Sequence, residues 1–501
     1  MSDDDLDVED LKKNWICVDC VGEDFLRAEI ERLGTNEACS YCDSEEKTIS
    51  LEDFSDYIDT AFEQHYHRTS PDPEDGIDWL MAKEGNWERA GERSTDAIGN
   101  AARIDEDPAE HVRQILSDRH YDHHEAKTGA EGEFDEDAHY EEGPVQDYEL
   151  QAEWQHFQKS LQTESRLFNS AAAATLDSVF EKVEEHKTHD GRSAIVDAGP
   201  GKPISALYRA RVFQSGEKLE DALKRPDRDL GPPPPKFAMA GRMNARGIAV
   251  FYGATDSDVA LAETRPPVGS KVAVARFEIT RPLRLLDIEV LREIFVEGSI
   301  FDSSFLGRLE KAKFLRTVSH RITAPVMPDD ELFDYLVTQA IADYLAGRSD
   351  LAIDGIIYPS VQDGGNKKNI VLLHKAARVE NLDLPAGTEI SSFLHHYDED
   401  GESPDYSVHE EVPPAKKEPE KHDRVSDFIE ALTRHPGMPR DDDTRPTTLK
   451  IDLDSIEVNH IQNVSYGKKQ FGVRRHRSEK REPTFARMPT DAERDELLKD
   501  L

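Results

Sequence analysis

Hydrophobic positions along the chain change their period near residue 190. From Leu51 to about His186, apolar residues recur every three or four positions, the spacing of one helix face. LEDFSDYIDTAFEQHY (51–66) and WQHFQKSLQTESRLF (154–168) are the clearest cases. Between them, residues 125–143 are acidic and contain Gly, which predicts a loop. From Ala194 the pattern turns to short β-rich runs separated by Gly and Pro. Strands are predicted at Ile248–Tyr252, Lys271–Ile279, Ile353–Tyr358 and Asn369–Leu373. Helical spacing returns at Asp329–Leu345. The run GPPPP at 231–235 predicts a stiff extended connector. Further on, Leu449–Val458 and Ile461–Val473 alternate again and are expected to rejoin the sheet.

These periods predict an α+β chain in several parts. Residues 1–50 form a zinc-ribbon-like module with four cysteines, and 51–190 a helical domain. Residues 191–395 form a mixed α/β domain, and 396–446 an acidic, Pro-rich linker or insertion. Residues 447–476 supply the returning strands, and 477–501 a polar tail. At 501 residues, a core can form without disulfides.

All four cysteines lie in the first 42 residues, as Cys17-Val-Asp-Cys20 and Cys39-Ser-Tyr-Cys42. Two such pairs bring four thiolates within reach of one tetrahedral ion, so zinc is expected. With four sulfur ligands no position is left open, which predicts a structural site. A redox pair is the competing use of the same spacing.

Charge excludes more than it identifies. The formal net charge is −41, from 103 acidic and 62 basic side chains. General nucleic-acid binding rests on Lys and Arg neutralising phosphates, so nucleic acid is not the expected partner. The acid is spread along the chain, as in proteins of a high-salt cytoplasm; mimicry of nucleic acid would favour a block. The start, MSDDDLDVED, has no basic or apolar signal region. No run of about eighteen apolar residues occurs. A cytoplasmic protein without a membrane span is expected.

Candidate chemistry concentrates between Leu207 and Glu263. LYRARV (207–212), AGRMN (240–244) and VFYGATDSDVALAE (250–263) supply Arg209, Arg242, Tyr252 and Glu263 in order. A strand-like run leading into helical spacing at Val259–Glu263 can aim these four into one cleft. Guanidiniums offer forked donors to a diphosphate. A tyrosine ring offers a stacking face. A carboxylate can bond a ribose hydroxyl and stabilise positive charge on the sugar. Asn244 and the backbone near Gly241 add hydrogen-bonding groups. Ser360 ends a strand before the turn Asp363-Gly364-Gly365. The set suits a dinucleotide. It lacks a Gly-x-Gly-x-x-Gly fingerprint, so the dinucleotide is expected as substrate and not as a hydride carrier.

LYRAR, GRMN, VFYGATDSDVALAE and IIYPS (356–360) resemble the RES family, in order and at compatible spacing. The resemblance implies an ADP-ribosyltransferase-like fold and an NAD-consuming enzyme, either an NAD phosphorylase or glycohydrolase with phosphate or water as acceptor, or a protein ADP-ribosyltransferase. It implies catalytic roles for Glu263, Tyr252, Arg242 and Ser360. It also implies NAD contacts from Arg209, Tyr208, Arg242, Asn244, Tyr252 and Asn369. Its pattern favours the arginine directly after the aromatic, hence Arg209 over Arg211. The cysteine pairs and residues 154–168 resemble the HEPN/RES N-terminal extension of a subset of members. RES enzymes are often toxins, which implies an antitoxin protein as partner, or restraint in cis by the N-terminal half. From another class, the N-terminal half is read as a ribonuclease or an RNA- or partner-binding module: Arg113 and His120 have a spacing used by some helical ribonucleases, with His as acid/base and Arg on the scissile phosphate.

Overall fold

Strands β1 (Trp15–Cys17) and β2 (Thr48–Ser50) pair antiparallel and bring both ends of the cysteine-containing module together. The computed structural model describes residues 7–73, 81–84, 86–123, 127, 129–324, 326–327, 330–360, 367–398, 401–414, 443–465 and 467–477. Helix α1 (Asp24–Leu33) lies within the module, and α2 (Leu51–His65) leaves it. Ser50 caps α2 by accepting from the Asp53 amide at 3.1 Å, satisfying one of the donors a helix start leaves unpaired. Leu51, Phe54, Ile58, Ala61 and Phe62 then face inward. They pack on α3 (Ser94–Ala102) and α4 (Glu106–Arg119) in one core. A small sheet of β3 (Tyr66–Arg68), β4 (Glu92–Arg93) and β5 (His139–Glu142) closes its side, with β5 central. The expected loop at 125–143 therefore ends in a strand. Its Tyr140 is buried, and that burial outweighs the acidic residues around it.

Helices α5 (Tyr148–Thr163) and α6 (Ser170–Phe180) belong by packing to the second half of the chain. That half is an eight-stranded sheet of β6 (Ile195–Ala198), β7 (Ala206–Phe213), β8 (Phe251–Ala254), β9 (Lys271–Ile279), β10 (Leu283–Asp287), β11 (Gly355–Pro359), β12 (Lys368–Leu372) and β15 (Leu449–His460). Its order is β15-β9-β7-β8-β12-β11-β10-β6, antiparallel except for β10 beside β11. Strand alternation divides the side chains between two faces. Val250, Leu286, Ile356 and Val371 face a core with α5, α6, α9 (Phe305–Thr323) and α10 (Glu331–Gly347). Phe251, Leu285, Ile357 and Ile370 face the other way, onto Leu219 and Leu223 of α7 (Gly216–Lys224).

Several expectations need correcting. Within 396–446, expected as a linker or insertion, lies β14 (Gly401–Glu411), which pairs with β13 (Glu389–Asp398) in a hairpin; residues 415–442 lie outside the described residues. Of the two returning strands, Leu449–Val458 joins the sheet as β15, against β9. Ile461–Val473 does not: its described residues form no strand. The polar tail beyond residue 477 and the turn at 361–366 also lie outside the described residues. Strand β8 starts at Phe251 and not at Ile248. The buried Asn244 amide donates to the carbonyls of Met239, Ala245 and Ile248 at 2.9, 3.2 and 3.0 Å, holding that approach as a loop.

The boundary at residue 190 also falls differently in packing. Trp154 meets Phe314 of α9 edge to face at 5.8 Å, inside the same core as Phe157, Leu161, Leu176 and Phe180. Burying each such side chain is worth about 1.5–3 kcal/mol, so these five together rival the whole stability of a typical domain. Residues 191–476 expressed alone should therefore be insoluble or lack a cooperative thermal transition. A soluble fragment that melts cooperatively would show that α5 and α6 are dispensable. Asn244→Ala should lower stability by roughly 1–3 kcal/mol in chemical denaturation, because it orphans buried carbonyls. Unchanged stability would return Asn244 to a ligand-facing role.

Candidate active site

Tyr208 on β7 opposes Ala254 on β8, the one position where those two strands pair. Ala254 in turn opposes Asn369 on β12, and Asn369 opposes Tyr358 on β11. Opposed residues share a face of the sheet, so Tyr208, Ala254, Asn369 and Tyr358 form one transverse row. Above it sits α8 (Ser257–Glu263). Asp256 starts this helix by accepting from the Asp258 and Val259 amides at 2.9 and 3.4 Å. The cap and the buried Val259 and Ala260 set the rotation that turns Glu263, in the last turn, over the row.

The Glu263 carboxylate is held from two strands. Its Oε1 accepts from Ser360 Oγ and from Asn369 Nδ2, each at 2.7 Å. Both donors are buried. A fixed carboxylate with Oε2 left for other contacts can face developing positive charge without first reorganising.

Arg209 donates from Nη1 to the Tyr252 carbonyl at 2.9 Å, reaching across from β7 to β8, and its guanidinium lies 5.0 Å from the Phe251 ring centre. Burial, followed by the like charge of Arg211, draws its pKa down to about 10. It remains a cation at neutral pH. Arg242 donates from Nη1 to the Ile322 and Ala324 carbonyls at 2.7 and 2.9 Å. These carbonyls close the C-terminal end of α9, where a cation is favoured by the helix dipole. Its guanidinium lies 5.7 Å from the Tyr335 ring centre. Among the described residues, each arginine is thus anchored through Nη1. Neither forms an ion pair with a described carboxylate.

Tyr252 supplies its ring to the cleft while its hydroxyl is committed elsewhere. The hydroxyl donates to Asn244 Oδ1 at 2.8 Å and accepts from the Met243 amide at 3.0 Å. Burial raises its pKa to about 12. Gly241 is required here, since a Cβ would come within 2.7 Å of that hydroxyl.

Together these residues line a cavity of about 400 Å³. Of the residues expected from sequence, it contains Tyr208, Arg209, Arg242, Tyr252, Glu263 and Asn369. Ser360 acts from behind, through Glu263. Asn244 lies outside it and lines the adjoining cavity described below, with its amide bonded to the loop and its Oδ1 to Tyr252. Sequence reasoning missed Tyr335, Tyr358, Thr323, Thr264 and Arg265, which also line the cavity. Only Tyr358 carried a signal, through its place in IIYPS. An adjoining cavity of about 320 Å³ shares Arg209, Ala210 and Tyr252 and is lined further by Arg211, Phe237 and Met239.

Two other expected centres are also placed. Cys17, Cys20, Cys39 and Cys42 bring their sulfurs within 4.8 Å of one another and could hold one metal ion. Arg113 and His120 do not form an open pair. Arg113 is buried against Glu110, at 2.6 and 2.8 Å, and the Phe134 carbonyl at 2.9 Å. His120 sits between Asp59 at 2.7 Å and Glu133 at 3.2 Å. Both side chains are thus already paired with carboxylates.

Among the described residues, no helix is long and apolar enough to cross a membrane. No curated protein and no solved structure matches the chain. Two family matches account for most of it. Residues 206–390 match the RES domain, a span that holds every cleft residue named above. Residues 32–175 match HEPN/RES N-terminal domain 1, which takes in Cys39 and Cys42 but not Cys17 and Cys20. The chain thus carries a RES domain, with an HEPN/RES N-terminal domain 1 ahead of it.

Proposed function

We propose that this protein cleaves the nicotinamide–ribose bond of NAD, with water or phosphate as acceptor. The RES domain supports an NAD-related, toxin-like function in general terms. The observation that carries the finer reading is electrostatic. In a chain with 103 acidic side chains against 62 basic ones, two half-buried arginines face one cavity with no ion-pair partner among the described carboxylates. A bound anion is what such a pair accommodates, and a diphosphate matches their forked donors. The adjoining cavity extends this reading. A ligand gripped at Arg209 has room for one lobe beside Glu263 and a second beside Phe237 and Met239, as a dinucleotide requires.

Bond breaking in this reading needs little proton transfer. The C–N bond to ribose cleaves with its electron pair moving to nicotinamide, which leaves as a neutral base. Positive charge builds on the ribose, and Glu263, steadied by Ser360 and Asn369, stabilises it. The Tyr252 ring offers a stacking face, and Arg209 and Arg242 keep the diphosphate in place. Water attacks and loses a proton, or phosphate attacks as an anion. A partner covering the cleft would restrain it, and an antitoxin is the partner class that the family resemblance implies.

The four-cysteine cluster we assign to structural zinc. Tetrahedral Zn–S bonds of about 2.3 Å place sulfurs roughly 3.8 Å apart. The Cys17–Cys42 and Cys20–Cys39 separations of 3.4 and 3.9 Å fit that spacing.

Glu263→Gln keeps an oxygen for Ser360 and Asn369, so the fold should persist while NAD turnover drops by roughly two to three orders of magnitude. Unchanged consumption would reject the assignment. Product identification with and without phosphate separates ADP-ribose from its 1-phosphate, and labelled protein would instead indicate a transferase. Purified protein should carry about one zinc per chain, and Cys17→Ser should lower both zinc content and melting temperature. A metal-free protein with an unchanged melting temperature would remove zinc from the fold.

A further inference from the structure

The cavity contains a phenol that the reading above does not use. Tyr358 lies on β11, two positions before Ser360 and directly opposite Asn369. Those are the two residues that hold the Glu263 carboxylate. Residues two apart on a strand share a face, so Tyr358 stands on the side from which Glu263 is gripped. Its electrostatic surroundings are the cleft itself: Tyr252, Glu263, Arg242 and Tyr335.

Hydroxyl partners separate Tyr358 from the neighbouring Tyr252. The Tyr252 hydroxyl makes two protein hydrogen bonds and is finished as part of the fold. The Tyr358 hydroxyl makes none among the described residues, although its side chain is half-buried and lines the cavity. Polar groups withdrawn from bulk water are ordinarily satisfied, and a donor left over at the wall of a binding cavity is available to a ligand. Burial moves its pKa well above the usual tyrosine value, so the group stays protonated and remains a donor at every physiological pH.

We propose that Tyr358 is a substrate-binding residue whose hydroxyl donates a hydrogen bond to a hydroxyl of the nicotinamide-side ribose. The proposal rests on the NAD-cleaving reading, because it places that ribose beside Glu263. Ser360 and Asn369 fix the carboxylate, and Tyr358, from the same pair of strands, fixes the sugar against it. The competing account makes Tyr358 a wall residue whose hydroxyl meets only cavity water.

The test compares the full-length protein with Tyr358→Phe, which keeps the ring and removes one oxygen. Substrates are NAD and its two analogues lacking the 2′ or the 3′ hydroxyl on the nicotinamide-side ribose. Wild type should consume NAD, and Tyr358→Phe should lower kcat/KM about tenfold, the usual effect of one lost hydrogen bond. With one of the analogues, wild type and variant should become equal, since the partner hydroxyl is already gone. Equal kcat/KM on NAD would overturn the proposal. So would the same loss on NAD and on both analogues, which would mean that Tyr358 acts through the fold. Absence of NAD consumption by the wild type would instead remove the underlying reading, and the proposal with it.

Discussion

The need to keep one sheet face dry organises this molecule. Val250, Leu286, Ile356 and Val371 have no partner within the sheet for that face, and burying them takes helices from both halves of the chain. Trp154, Phe157 and Leu161 arrive from α5, and Leu176 and Phe180 from α6. Phe314, Leu315 and Val318 come from α9. Helices α5 and α6 are thus part of the core under the sheet, while the residues from Leu11 to Tyr140 pack in a core of their own.

The same helix that covers the sheet also builds the cleft. Just before α9, Phe301 is buried in the N-terminal core, and Phe305 at its first turn meets the His65 ring at 6.0 Å. At its far end, the carbonyls of Ile322 and Ala324 take the Arg242 guanidinium. Thr338 on α10 bonds the Arg242 carbonyl, and Gln339 bonds that of Gly241 at 2.8 Å. Helix ends with unsatisfied carbonyls attract a cation, and here the cation is a cleft residue. Arg242 therefore gets its position from packing that runs to the N-terminal core, with no ion pair to a described carboxylate.

Electrostatics works by exclusion. Many arginines elsewhere in the chain are tied to carboxylates, among them Arg89 to Glu131, Arg113 to Glu110 and Arg281 to Asp354. Arg209 and Arg242 instead lean on carbonyls and aromatic faces. Carbonyls orient a guanidinium without neutralising it, so the positive charge persists where a strongly acidic surface would otherwise repel an anion.

Much of this was legible in the chain itself. The helix at Leu51, the strand Lys271–Ile279, the cysteine cluster and the order Arg209, Arg242, Tyr252, Glu263 all follow from spacing and residue type, because periodicity and ligand chemistry are local properties. Strands β5 and β14 were hidden by acidic and polar residues, since a strand stabilised through its neighbours need not look like one. Asn244 was expected as a ligand contact from its position, and only folding revealed that its amide also bonds Met239, Ala245 and Ile248. Tyr358 looked like part of a motif and nothing more. Its meaning depends on standing opposite Asn369, a pairing made by strand register. The sequence by itself determined which chemistry is present and roughly where its elements begin. Tertiary structure decided which of those groups remain available to a ligand, because hydrogen-bond satisfaction and burial arise only between segments far apart in the chain.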